Sequence, residues 1–131
     1  MTTVTVTLSI SRTSFTGSTL ATDIHPEQNR SYFYQFTGGT DGSGNVTANS
    51  ETDIILNVVS MDGGNYEIDK VDFDNNPGNQ FKFDKNANKK GGNIKDKKTT
   101  DGTFYYDVKM IDQGDKQCKF TCDPRITNVS T

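Results

Sequence analysis

Val4, Val6, Leu8 and Ile10 alternate with Thr3, Thr5, Thr7 and Ser9, the period of two that buries one face of a β-strand and wets the other. The same period recurs from Ser31 to Thr37, where Tyr32, Tyr34 and Phe36 share one face and Phe33 and Gln35 the other. From Thr52 to Val59 both faces are apolar, with Ile54, Leu56 and Val58 opposite Ile55 and Val59, which predicts a central strand. Tyr66 and Ile68 hold one phase while Val71 and Phe73 hold the other, so a bulge is expected at Asp69–Lys70. Phe81 and Phe83 mark a short strand. Thr103 to Asp112 and Lys116 to Cys122 read as a hairpin around Gln113, Gly114 and Asp115. Its inward faces carry Phe104, Tyr106, Val108 and Met110 on one strand and Cys118, Phe120 and Cys122 on the other.

Turn chemistry separates these runs: Gly38 to Gly44, Met61 to Gly64, and Asn75 to Gly78 around Pro77. Residues 84–100 hold six Lys among Asn, Gly and Asp with almost no apolar side chain, and predict a mobile loop. About seven evenly spaced strands and no amphipathic helix predict an all-β fold, an antiparallel immunoglobulin-like β-sandwich formed by residues 1–131 as a single domain. The disulfide and core Trp of true immunoglobulin domains are absent.

Composition strengthens the strand reading. Ala, Leu and Glu occur three times each among 131 residues, which starves any helix of its best formers. A net charge of −3 is too small to keep the chain unfolded. No apolar run approaches the ~20 residues of a membrane span, and Met1 to Val6 has neither a basic nor a continuous apolar leader segment, so a soluble cytoplasmic protein is expected. On that expectation the triplets at Asn29, Asn45 and Asn128 are not glycan acceptors. Cys118 and Cys122, four apart on one strand face, lie about 13 Å from each other, too far to bridge. They read as buried thiols.

Few chemistries survive a residue count. His25, before Pro26, is the single histidine, so Ser-His-Asp geometry, the two-His copper set and a Cys/His zinc site all lack members. It reads as a surface loop residue, and no cofactor is expected. Asp72, Asp74 and Asn76 alternate like the opening of a calcium loop, with Asp69 nearby. Pro77 and Phe83 replace the Gly and the bidentate Glu of an EF-hand, and a solvated turn is the plainer reading. Lys82 to Lys98 carries seven Lys and two Asp, a local +5. In this Lys-rich loop Lys89, Lys90, Lys95, Lys97 and Lys98 are candidates for polyanion binding. Arg is missing there and the pI is about 5.0, both contrary to a nucleic-acid footprint. Tyr32, Phe33 and Tyr34 raise a carbohydrate platform, set against the alternative that most of these rings pack the core. Glu27, Glu51, Glu67 and fourteen Asp offer many carboxylate pairs, but no spacing selects a glycosidase pair.

The ending of the chain, Tyr105 to Met110 followed after a turn by Phe120-Thr121-Cys122-Asp123-Pro124-Arg125-Ile126-Thr127-Asn128, resembles that of small bacterial proteins of the DP-EP family. Asp123-Pro124, Ile126 and Asn128 carry the resemblance, over about the last quarter of the chain. It implies a compact all-β domain of uncharacterised function, with no catalytic residues to carry over. Physically, Asp123-Pro124 is expected to end the last strand and cap a turn, with Ile126 docking on the sandwich edge as a structural motif.

The sequence therefore predicts a non-enzymatic binding or structural module that associates with itself or a protein partner through a sheet edge or face. The alternative is a small-ligand domain holding calcium or a carbohydrate, and the third reading is polyanion binding.

Overall fold

The structure is a computed structural model that describes residues 2–25, 30–115 and 117–129, without the side chains of Asp23, His25 and Arg125. The expected loop at Pro26, the Asn29 triplet, Glu27 and Lys116 lie outside the described residues, as does any reading of the His25 side chain. Among the described residues there is no α-helix, and none is long and apolar enough to cross a membrane.

The alternating segments form the strands expected of them: β1 (Thr2–Ser11), β4 (Phe33–Gly38), β6 (Thr52–Ser60), β7 (Tyr66–Phe73), β8 (Phe81–Lys85), β10 (Gly102–Asp112) and β11 (Cys118–Cys122). Five more strands join them among the described residues: β2 (Thr19–Leu20), β3 (Thr22–His25), β5 (Val46–Ala48), β9 (Gly91–Asp96) and β12 (Arg125–Asn128). Most of these are short and held by ladder bonds more than by an apolar face, which is why alternation does not reveal them. Two six-stranded sheets result. Sheet one runs β2-β4-β1-β6-β9-β8, and sheet two runs β3-β11-β10-β12-β5 with β7 on β10.

Three expectations need correction. The sheets are mixed, not purely antiparallel: β1 pairs in parallel with β6, and β12 with β5. Alternation fixes which face of a strand is buried and says nothing about a partner's direction. Residues 84–100 are not a loop throughout, because β9 pairs with both β6 and β8. Two glycines let it enter. A Cβ on Gly91 would stand 2.5 Å from the Leu56 carbonyl oxygen, and one on Gly92 2.5 Å from that of Asp84. Third, Asp123-Pro124 interrupts the last strand without ending it. The chain resumes as β12, where Ile126 is fully buried in the core instead of docked at an edge.

The two sheets press Val6, Leu8, Ile10, Ile54, Leu56 and Ile94 against Ile68, Val108, Met110 and Ile126. At one end Tyr32 stacks on Phe120 with centroids 4.1 Å apart, and Tyr66 meets both rings edge-on. Near the start of β8, Phe73, Phe81 and Phe104 form a second aromatic cluster. Cys118 and Cys122 are buried thiols facing this core. The register on β10 slips between Ile68 and Lys70, so Asp69 is the bulged residue that the phase change predicted.

Candidate functional site

β11 and β12 follow β10 in one continuous register, Val108 opposite Cys122 and Tyr105 opposite Arg125. Asp123 and Pro124 fill the break between them. Pro124 has no N–H to offer an outer partner, although its carbonyl still accepts the Tyr106 N–H at 3.3 Å. On the outer side of this path β3 pairs at Lys119 and Thr121, and β5 only from Ile126 onward. Sheet one has a matching gap, since β2 pairs with β4 only at Phe33 and Tyr34, and Ser43 bridges β4 next at Gly38.

The two gaps face each other and open a lateral cleft of about 300 Å³. Tyr34, Gln35 and Phe36 line it from sheet one, and Asp123 and Pro124 from sheet two. Gly17, Thr19, Ser43 and Asn45 form its rims. The 41–45 rim is held by Asp41, whose carboxylate accepts the Ser43 and Asn45 N–H groups and the Asn45 side-chain amide at 2.8–3.2 Å. Gly44, at φ +83°, lies directly on Phe36, where a Cβ would overlap the ring's own Cβ.

Hydroxyls, two amides and one carboxylate therefore surround the opening, with no Lys or Arg among the described lining residues. The Asp123 N–H points at Tyr34 Oη at 3.4 Å. Burial raises the Tyr34 hydroxyl above its ordinary pKa, so it remains a neutral donor and acceptor. Behind Asp123, the Asp107 carboxyl is pushed up to about 6 by burial, by its hydrogen bond to Asp123 and by that residue's charge, against the pull of Lys109.

A second hollow of about 260 Å³ lies among Arg12, Asp62, Gly63, Gly64, Tyr66, Asp112, Gly114 and Asp115. Its charged groups are engaged with one another. Arg12 and Arg30 both bind Asp115, Tyr32 donates to Asp112 at 2.8 Å, and Tyr66 donates to Asp62. Burial pushes Asp62 up, but the Arg12 and Gly64 N–H groups and the Tyr66 and Ser60 hydroxyls together hold it below the usual carboxylate range. This network fastens one end of the sandwich.

The residues singled out in the sequence are distributed as follows. Asp72 stands on β7 opposite Asp107 and 3.6 Å from Lys70. The Asp74 N–H bonds the Tyr105 carbonyl, and the Asn76 side chain bonds both backbone groups of Phe81, fastening the β7–β8 connection. Among the described residues no group of three or more His, Cys, Asp or Glu is placed to hold a metal ion. Lys89 and Lys90 sit at the β8–β9 turn, and Lys95, Lys97 and Lys98 at the far end of β9, about 15 Å away along the strand. Lys90 bonds Asn65 and the Tyr66 carbonyl, Lys95 pairs with Glu51, and Lys98 with Asp101. Tyr32, Tyr34 and Phe36 point into the sandwich, and only Tyr34 of these tyrosines reaches the cleft. Asp123 and Pro124 line the cleft, Ile126 is core, and Asn128 is buried between the sheets.

Nothing in the sequence marks Gln35, Ser43, Asn45 and Asp107 as residues of one site, because two sheet edges with coincident gaps leave no linear trace. No protein-family model matches the chain, and no curated protein matches it.

Proposed function

We propose that the chain is a non-enzymatic binding module whose lateral cleft takes a neutral, hydroxyl-rich ligand such as a saccharide unit. One observation carries the reading: the coincident gaps beside β4 and at Asp123-Pro124 open a polar cleft of about 300 Å³ between the two sheets. Its hydroxyls and amides donate and accept as polyols require, and the Asp123 carboxylate accepts from hydroxyls while repelling anions. In this proposal the sandwich is immunoglobulin-like, the ending belongs with the DP-EP type, and the protein works in the cytoplasm.

Binding through the cleft is preferred to self-association along an edge. The longest outer strand, β7, carries the Asp69 bulge, and its Tyr66, Ile68 and Asp69 carbonyls are taken by Lys85 and Lys90. The same kind of contact ties Lys90, one of the polyanion candidates, into the fold.

Thermal unfolding against a panel of mono- and oligosaccharides, polyols, calcium with chelator, nucleotides and heparin tests the reading. A ligand at about 100 times its Kd stabilises the native state by about 2.7 kcal/mol, enough to raise Tm by several degrees. A rise with a neutral polyol that is lost in Gln35→Ala is expected. A rise confined to calcium or to heparin contradicts the proposal.

A further inference from the structure

Asp96, Asn128 and Gln80 are fully buried polar side chains at the seam between the sheets. Asp96 belongs to β9 in sheet one, Asn128 to β12 in sheet two, and Gln80 to the turn that precedes β8. Asn128 Nδ2 is directed at three acceptors: Gln80 Oε1 at 3.0 Å, Asp96 Oδ1 at 3.2 Å and the Thr100 carbonyl at 3.2 Å. This fixes the amide orientation, because the flipped form would set an oxygen against all three. Asp96 Oδ1 also accepts the Lys98 N–H at 2.8 Å.

Three atoms of the cluster are buried without a hydrogen bond: the acceptors Asp96 Oδ2 and Asn128 Oδ1, and the donor Gln80 Nε2. Asp96 Oδ1 already accepts from Asn128 Nδ2, and a proton on Asp96 Oδ2 is the one change at this carboxyl that gives Asn128 Oδ1 a donor, as in the paired bonds of a carboxylic acid and an amide. We infer that Asp96 is a neutral carboxylic acid in the folded chain, and that its Oδ2–H donates to Asn128 Oδ1, completing an acid–amide latch between the sheets that ionisation at higher pH opens.

The surroundings agree with this assignment. Asp96 makes no salt bridge among the described residues. The nearest ammonium, on Lys98, is bound 2.7 Å from Asp101. Lys95 pairs with Glu51, and Lys97 is exposed. The groups facing Asp96 from the neighbouring elements are uncharged: Thr52 of β6, Phe81 of β8, and Gln80 and Asn128. An ionised carboxylate here would bear its desolvation cost with no counter-ion, whereas protonation removes the cost and satisfies two acceptors at once. Burial pushes the group upward, and only the Lys98 N–H, the Asn128 amide and the Lys98 charge oppose it.

A group whose folded pKa is raised contributes its stability in full below the unfolded value, about 3.9, and loses it as pH rises through the folded value. Asp96→Asn supplies the same shape with a permanent donor toward Asn128 Oδ1. Tm is therefore expected to equal or exceed that of the unaltered protein, with the difference growing as pH rises. In the unaltered protein, the 13C signal of the Asp96 carboxyl is expected to titrate at higher pH than those of the exposed aspartates. A signal that titrates with them or below them overturns the inference. So does a loss of Tm in Asp96→Asn at every pH, as a bound cation or a charge-requiring water would produce.

Discussion

Asp107 and Asp123 meet across the β10 ladder at the break between β11 and β12, carboxyl against carboxyl, with Asp72 on the other flank of Asp107. Burial, that contact and the neighbouring negative charge hold Asp107 above an ordinary Asp, so the cleft is backed by a carboxyl that keeps its proton below about pH 6. Asp107, at about 6 in the fold against about 3.9 unfolded, favours the native state below pH 4 and loses that contribution as pH rises to about 6. In Asp107→Asn this part of the pH dependence should disappear. Tm profiles of both proteins from pH 3 to pH 8 check it, and parallel profiles would contradict the raised Asp107 titration.

Ile126 is fully buried between the sheets, so Ile126→Ala should cost about 2–5 kcal/mol. Chemical denaturation measures the loss. A change below about 0.5 kcal/mol, the usual effect of a surface substitution, would mean that β12 is not part of the core.

Gly92 is predicted to resist the smallest change of all. Its Cβ would meet the Asp84 carbonyl and the Phe83 ring within 2.6 Å, and both belong to the strand that closes sheet one. Overpacking of this kind costs about 1–3 kcal/mol, and Gly92→Ala should lower the denaturation midpoint accordingly, while Gly42→Ala, in open space but at φ +81°, reads the cost of backbone strain without crowding.

Tyr32 donates its hydroxyl to the buried Asp112 at 2.8 Å. Tyr32→Phe keeps the stack on Phe120 and removes that donor, so a loss of about 1–3 kcal/mol is expected from the acceptor left behind. Equal stability of the two proteins would show that Asp112 is solvated by another route.

Strands whose faces differ in polarity were legible from the chain alone. Val4 to Ile10 announces β1, and the phase change after Ile68 announces the Asp69 bulge. Gly91 and Gly92 conceal β9, because a strand squeezed between two neighbours signals itself by missing side chains and not by apolar ones. Asp96, Gln80 and Asn128 look like surface residues in sequence. They are buried together, with Asn128 bonded to both of the others across the seam, a relation between segments that no local pattern carries. Asp123-Pro124 was legible as a break and not as a wall of the cleft, since the matching gap beside β4 lies almost ninety residues earlier.

Binding of a neutral polyhydroxyl ligand in the lateral cleft is read out by amide chemical shifts recorded during titration with the saccharide panel. Saturable shifts clustered at Gln35, Ser43, Asn45 and Asp123 are expected, with the signals around Asp62 and Asp115 unmoved. Shifts confined to the Asp62–Asp115 hollow or to the lysines of the β8–β9 hairpin, or no shifts with any neutral polyol, would contradict it.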